Sequence, residues 1–311
     1  MTPALLYRWP VAALRLNPVL VGAAGGLLAV LSWGGYLALV RAGVSEGVIA
    51  ADFMVFRYGV AGLLTLPVLL WRREAVGRIG ATRGLALSLA AGPVFLLFSV
   101  TGFHFAPLAH GSLIQPSVVT VGGLLLGAAL LGERLTGRRI AGALLVLLGI
   151  GCVGGPGIAA GEGVAWIGDL CFVIAGGFWL TFTLLVRHWH IEALAGTAIV
   201  NGSSAAFVLP YYGFAVGFER LFALPLSTLV LQSLVQGVLS GGIAVIGYAF
   251  AVRQLGASRA ALFPALVPAT AMLIGVPVTG ETPTPLQLLG LALATVGLFV
   301  ALLSNSRSPS P

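Results

Sequence analysis

The sequence predicts an all-α integral membrane protein whose ten transmembrane helices form two inverted five-helix repeats around a central cavity. Three observations support this fold class. First, of the 311 residues, 59% are hydrophobic and only 8% are charged, whereas water-soluble domains carry about 25% charged residues. Second, the apolar residues fall into ten runs of roughly the 20 residues that a spanning helix requires. Third, a motif of the first half returns in the second half.

The first half of the chain contains five of these runs. The stretch 84–132 has no Asp, Glu or Arg and is too long for one helix. Pro107 lies within it and divides it into two helices, because proline lacks the N–H that a helix interior needs. The five predicted helices are therefore 17–40, 53–71, the two parts of 84–132, and 140–155.

The second half contains five more runs, at 164–186, 193–216, 228–252, 260–279 and 285–303. An odd number of helices per repeat places the two repeats in opposite orientations across the membrane. We expect repeat 1 to cover residues 19–155 and repeat 2 to cover 156–303. Residues 1–18 should form a cytoplasmic interfacial lead-in, since no signal-peptide cleavage site follows them. Residues 304–311, rich in Ser and Pro, should form a disordered cytoplasmic tail.

The repeated motif pairs Glu133 with Glu281, 148 positions later, and each acid follows a glycine. Thr136 and Thr284 suit helix N-caps, and Pro285 suits a first helical position. A carboxylate near the positive end of a helix is favoured. We therefore interpret the motif as a rigid elbow between two helices and place neither acid at a substrate. Two glycines follow at the same spacing in each copy, Gly142 and Gly149 in the first and Gly290 and Gly297 in the second.

Arginine placement predicts the topology, with both termini in the cytoplasm. Under that orientation two arginines, Arg41 and Arg220, face outward, and Arg57 lies within a helix. The other thirteen lie on the cytoplasmic side, which is a strong positive-inside bias. They are Arg8, Arg15, Arg72, Arg73, Arg78, Arg83, Arg134, Arg138, Arg139, Arg187, Arg253, Arg259 and Arg307.

Ten helices, two five-helix repeats and the recurring Gly-Glu motif with its following glycines resemble the EamA-like family of the drug/metabolite transporter superfamily. The resemblance extends over about residues 19–304. Within the superfamily the chain is most similar to bacterial exporters of aromatic and neutral amino acids. The resemblance implies a basket of helices around a central cavity, alternating access, and a location in the bacterial inner membrane. Efflux of drugs or other metabolites is the alternative function within the same superfamily.

The residue content excludes several other functions. The chain has no lysine, so it lacks an ATP-binding Walker A motif and cannot form a lysine Schiff base. Cys152 and Cys171 lie in apolar runs and form no zinc motif. We expect no metal and no cofactor. The basic residues lie in short loops between apolar runs, which indicates contact with lipid rather than nucleic acid. No triad or metal motif supports an intramembrane enzyme.

Aromatic residues suggest where a small-molecule substrate binds. Trp33 and Tyr36 share a helix face, and Trp179 and Phe182 repeat that spacing 146 positions later. Aromatic walls suit flat apolar groups and attract an ammonium group. Ordinary helix packing is the alternative explanation. The remaining candidates for substrate contact lie on other helices: Gln115, Tyr248 and Phe263.

Broken helices near the membrane centre are the usual place for a transporter site. Four prolines and one glycine are candidate hinges. The alternative is that they only bend packed helices. These candidates are Pro93, Pro116, Gly241, Pro264 and Pro268.

Arg57 and His104 are candidates for gating or ion coupling. A buried arginine is paired or functional, so Arg57 could form a salt bridge with Asp52 or bind loop carbonyls, or it could anchor a substrate carboxylate. His104 and His110 flank the predicted turn at Pro107, where a histidine could respond to protons or be a hydrated loop residue. Because no carboxylate lies near the membrane centre, we expect a uniporter or an exchanger, with His104 as the proton-binding candidate.

Overall fold

A computed structural model describes residues 17–131, 135–159, 163–260 and 262–303. The predicted lead-in up to residue 16, the acid Glu133 and the predicted tail 304–311 lie outside these ranges. Within them, nine helices are long and apolar enough to cross a membrane, and a tenth apolar helix is shorter. The described residues are helical throughout apart from turns and short connections, so the predicted all-α class with ten apolar helices is confirmed.

The helices of the first half are α1 to α5. Their ranges are α1, Pro18–Ser45; α2, Ala50–Trp71; α3, Ala81–Phe105; α4, Leu108–Leu131; and α5, Gly137–Ala159. A short helix, Arg73–Ile79, follows α2 and buries none of its residues. Asn17 caps α1 through its side chain, which accepts from the Val19 N–H over 2.9 Å.

The helices of the second half are α6 to α10. Their ranges are α6, Ala165–His188; α7, Ala193–Ala215; α8, Leu226–Leu255; α9, Pro264–Thr279; and α10, Pro285–Leu303. Thr284 caps α10, accepting from the Gln287 N–H while the Gln287 side chain accepts from the Thr284 N–H. Thr136 accepts from the Arg139 N–H at the start of α5, so both predicted N-caps are confirmed.

Four of the spanning helices are irregular. α2 contains a π-helical turn, Val55–Gly59, and α8 contains a longer one, Ser233–Ile243. α3 is interrupted at Gly92, whose ψ of −144° ends one helix before Pro93 begins the next. α9 begins with a 3-10 turn, Pro264–Leu266. Three of these irregular segments lie at or next to four of the five predicted hinges, whereas the π-helical turn of α2 lies at none of them. The fifth predicted hinge, Pro116, lies inside the continuous helix α4.

Glycines allow a close helix contact between α5 and α10. A Cβ built on Gly149 would lie 2.5 Å from the Gly290 carbonyl oxygen, and one on Gly142 would lie 2.6 Å from the Gly297 oxygen. The four glycines that follow the repeated motif therefore meet as two cross-repeat pairs. Small residues allow backbones to approach this closely, which is how helices gain packing energy in lipid.

The two ends of the bundle differ in composition. One end, which we call the arginine-rich end, carries the connections after α2, α6 and α8, with Arg72, Arg73, Arg78, Arg187 and Arg253. The other end, which we call the latch end, carries the last turn of α1, the turn between α3 and α4, and the end of α9. Arg41 and Glu281 meet there.

Candidate functional site

Two groups of aromatic rings lie inside the bundle. In the first group, Trp33 on α1 contacts Tyr248 on α8, with ring centroids 5.5 Å apart. In the second, Trp179 on α6 lies 5.1 Å from Phe95 on α3 and 5.3 Å from Phe182. Trp33 and Trp179 therefore lie in separate groups, and each contacts a helix of the other repeat.

A buried polar bridge connects these two groups. Tyr36, one turn after Trp33, has its hydroxyl 3.4 Å from Ser99 Oγ. Ser99, one turn after Phe95, accepts a hydrogen bond of 2.9 Å from the Gln115 amide. All three residues are less than 9% exposed. The predicted candidates Tyr36 and Gln115 thus meet through Ser99, a residue that the sequence analysis did not select.

Phe263 lies apart from the bridge. A Cβ on Gly26, near the start of α1, would lie 2.6 Å from the Phe263 ring. Phe263 therefore packs toward the arginine-rich end, where its ring fills the space beside a glycine of α1.

Arg57 is buried, with 7% exposure, and lies on the π-helical turn of α2. Its guanidinium donates to Ser240 Oγ over 3.2 Å and lies 4.9 Å from the centroid of the Tyr36 ring. The suggested salt bridge with Asp52 is wrong. Asp52 instead accepts from the Tyr212 hydroxyl at 2.5 Å and lies 3.4 Å from Arg220 Nε. Its carboxylate faces α7 and not Arg57.

A polar stripe on α8 was missed by the sequence analysis. Thr228, Gln232, Gln236 and Ser240 follow one another at four-residue spacing, and all are buried. Gln232 donates to the Leu39 carbonyl over 2.9 Å, and Gln236 donates to Gln232 over 3.1 Å. The regular spacing of polar residues in an otherwise apolar helix was the sequence signal that could have revealed this stripe.

The two histidines near Pro107 differ in environment. His104 is exposed at the end of α3. His110 is 6% exposed, and its Nδ1 lies 2.7 Å from Asp169 Oδ1 on α6. The suggestion that His110 could be a hydrated loop residue is therefore wrong, because it lies in the first turns of α4 against α6. The role of His104 in gating stays a prediction.

Glu281 connects the two repeats at the latch end. Its carboxylate accepts from the Leu108 N–H over 2.8 Å, at the start of α4, and forms an ion pair with Arg41. Arg41 also donates to the Phe103 carbonyl over 2.5 Å. The carboxylate therefore lies at the positive end of α4 in the other repeat, whereas the sequence analysis assigned it to the start of the helix that follows it.

Two open grooves lie at the arginine-rich end, with volumes of about 390 and 330 Å³. The first is lined by Trp71 and residues of the short helix after α2, and the second by that helix and Trp189. Both are open surface features at the ends of the spanning helices. We therefore place the candidate site at the aromatic groups and the polar bridge. In the part of the chain that the structure describes, no three potential metal ligands cluster.

Comparison with known proteins identifies the family. A crystal structure of a protein that is 21% identical aligns over 94% of this chain and 99% of that chain, with a TM-score of 0.62, a likeness that shows the fold alone. No curated protein matches the chain. The model of the EamA-like transporter family matches twice, at residues 20–155 and 166–303. The two matches cover most of the sequence, and the chain belongs to the EamA-like transporter family, as a multi-pass membrane protein with two EamA units.

Proposed function

We propose that this transporter exports amino acids with aromatic or neutral side chains, or similar small metabolites, by alternating access. The observation that carries the proposal is the polar bridge of Tyr36, Ser99 and Gln115 between two aromatic groups. An amino acid presents both a polar head, which needs buried hydrogen-bond partners, and an apolar side chain, which suits aromatic walls.

The arrangement also supports a uniport or exchange mode. Among the described residues, the carboxylates lie in loops or within the first two turns of helices, as Asp52, Asp169 and Glu281 do. Proton relays in pumps use acids placed inside the membrane. In the proposed cycle the two repeats rock against each other around the polar bridge, so that the site opens to one side at a time.

We further propose that the protein resides in the bacterial inner membrane with both termini in the cytoplasm. The arginine-rich end would then face the cytoplasm and the latch end would face outward, as the positive-inside rule requires. In that orientation the substrate enters from the arginine-rich end and leaves past Arg41 and Glu281.

Efflux of lipophilic drugs is the second candidate function. The observation that favours it is the aromatic lining itself, since Trp33, Tyr248, Trp179 and Phe182 would also stack against flat hydrophobic compounds. The polar bridge distinguishes the two candidates, because its hydroxyls and its amide can hydrogen-bond the polar head of an amino acid, whereas a drug without polar groups forms no such bond.

The test is counterflow in proteoliposomes with labelled tryptophan, competed by unlabelled amino acids. Saturable exchange that phenylalanine and tyrosine inhibit is the expected result. Trp33→Ala and Trp179→Ala should each weaken the apparent affinity by about tenfold, equivalent to one stacking contact. Trp166→Ala is the matched control, because Trp166 is 53% exposed on the outside of α6. Absence of exchange for every amino acid, with retained exchange of lipophilic drugs, would replace the first function by the second.

A further inference from the structure

Arg57 is a buried cation without a carboxylate partner among the described residues. Its hydrogen bond goes to the neutral hydroxyl of Ser240, and its other neighbours are the rings of Tyr36 and Tyr58, at 4.9 and 5.9 Å. A guanidinium carries five N–H donors, and an uncompensated charge inside a membrane protein is costly. The Arg57 guanidinium can therefore bind an anion that is not part of the described chain.

The acid closest to Arg57 in sequence is already engaged. Asp52 accepts from Tyr212 and from the Ile49 N–H, and it pairs with Arg220. Since Asp52 is itself fully buried among these partners, turning toward Arg57 would break three interactions. The stable contacts of Asp52 therefore leave the positive charge of Arg57 without a neutralising carboxylate.

Both Arg57 and Ser240 lie in π-helical turns, in α2 and α8. Such turns leave backbone groups without their usual helical partner and occur often at functional sites. Here the Asn201 amide donates to the Gly241 carbonyl over 3.2 Å. The hydrogen bond between Arg57 and Ser240 joins the two turns directly.

The polar stripe of α8 ends at this place. Thr228, Gln232 and Gln236 lead along the helix from the latch end to Ser240. The Gln236 side-chain oxygen is buried and has no hydrogen-bond partner. Buried polar atoms without partners are rare in proteins, and one such atom in a row of buried polar side chains that leads to a cation indicates a region that hydrates or takes polar ligands.

We propose that Arg57 and Ser240 form an anion subsite that binds the carboxylate of the transported molecule. A carboxylate can accept two parallel hydrogen bonds from the guanidinium and one from the Ser240 hydroxyl. Tyr36 contacts Arg57 through its ring and the polar bridge through its hydroxyl, so the rest of the molecule extends toward Trp33 and Gln115. The inference rests on the proposed carrier function and deepens it. The cargo is a carboxylate or a zwitterion, and lipophilic cations are repelled.

The test compares three ligands that share an indole ring. Tryptophan has both charged groups, indole-3-propionate has only the carboxylate, and tryptamine has only the amine. Binding to the purified full-length protein is measured by calorimetry, for the wild type and for Arg57→Gln and Arg57→Lys. We expect both carboxylates to bind and tryptamine to bind at least about tenfold more weakly.

In Arg57→Gln, affinity for both carboxylates should fall by about 10- to 100-fold, while tryptamine should bind no worse. Arg57→Lys should restore part of the affinity, because it keeps the charge but loses the planar fork. Arg253→Gln is the control, since Arg253 is exposed at the arginine-rich end. Size-exclusion chromatography verifies folding. If Arg57→Gln does not fold, Ser240→Ala and the ligand series on the wild type decide the question.

The outcomes separate the subsite from the transport function. Equal binding of tryptophan and tryptamine, or no binding of either carboxylate, would overturn the anion subsite. Counterflow with unchanged carboxylate affinity in Arg57→Gln would overturn the subsite and leave the carrier function in place. Arg57-dependent binding of indole-3-propionate without exchange of any amino acid would support the subsite and refute the amino-acid cargo.

Discussion

At the residue scale, charged side chains inside the bundle are held by partners from distant parts of the chain. Asp52 is bonded to Tyr212, 160 positions away, and His110 to Asp169, 59 positions away. In a low-dielectric interior, removing one member of such a pair leaves the other without compensation. These contacts therefore stabilise the fold more through the cost of breaking them than through their net attraction.

The pair of His110 and Asp169 provides a residue-scale prediction. His110→Ala should lower the free energy of unfolding by about 2–4 kcal/mol, because the Asp169 carboxylate loses its hydrogen-bond partner. Unfolding by denaturing detergent in mixed micelles measures the change. His104→Ala is the matched control, since that histidine is exposed. Equal stability of the two variants would show that the buried pair contributes nothing.

At the element scale, small residues decide which helices can approach. Gly149 and Gly290 face each other across α5 and α10, as do Gly142 and Gly297. Gly25 and Gly247 do the same between α1 and α8, where a Cβ on Gly25 would lie 2.5 Å from the Gly247 oxygen. The hydrophobic effect does not drive helices together within lipid, so such close backbone contacts provide much of the packing energy.

These contacts predict different results for two glycines of one helix. Gly149→Ala should lower the free energy of unfolding by about 1–3 kcal/mol, because the new methyl group meets backbone atoms of α10 that cannot move aside. Gly151→Ala should change it by less than about 1 kcal/mol, since nothing lies within 4 Å of a Cβ there. Thermal unfolding of the two purified variants measures the difference. A Gly149→Ala protein as stable as the wild type would contradict the packing argument.

At the scale of the whole molecule, the latch end is closed. Residues 108–115 of α4 are all buried, whereas residues 118–126 are partly or fully exposed. Two carboxylates of the second repeat hold the first turns of α4, Glu281 at Leu108 and Asp169 at His110. The first turns of α4 are therefore held at the latch end by two carboxylates of the second repeat.

Releasing one of these ties should shift the population toward an open latch end. Glu281→Gln should increase the labelling rate of a cysteine introduced at Leu113, which is fully buried beneath the latch. The background carries Cys152→Ala and Cys171→Ala, and a water-soluble maleimide is the reagent. Arg41→Glu combined with Glu281→Arg should return the rate toward that of the wild type. Identical rates in all variants would rule out a gating role for the pair.

The orientation of the whole molecule is also testable. A fluorescent protein fused after residue 311 should fold and emit in a bacterial host, because the arginine distribution places that terminus in the cytoplasm. Alkaline phosphatase fused at the same position should be inactive, since it requires export. An active phosphatase fusion would invert the proposed topology and with it the direction assigned to the latch end.

Much of the fold could be predicted from the sequence, but less of the site. Hydropathy and proline or glycine positions are local properties, so the ten helices and the irregular points of α3, α8 and α9 followed from them, whereas the π-helical turn of α2 did not. The sequence analysis could select Trp33, Tyr36, Gln115 and Trp179 as candidate substrate contacts, because they are large aromatic or polar residues within apolar helices. Their actual neighbours, such as Ser99, could not be selected, because a lone serine in a membrane helix carries no distinguishing pattern.

The sequence by itself determined the helices, their caps, the doubled motif and the membership of a membrane-transporter class. The helices and their caps depend on composition and spacing within about 20 to 30 residues, where the physics of lipid and of backbone hydrogen bonding is decisive. The doubled motif can be read by comparing the two halves of the sequence. Only the tertiary structure decided that Arg57 faces Ser240, that Asp52 faces Tyr212 and that Glu281 reaches Leu108. Each of these contacts depends on the rotation and register of two helices far apart in the chain. Within lipid the hydrophobic effect does not fix that register, so the close packing of the helices decides it.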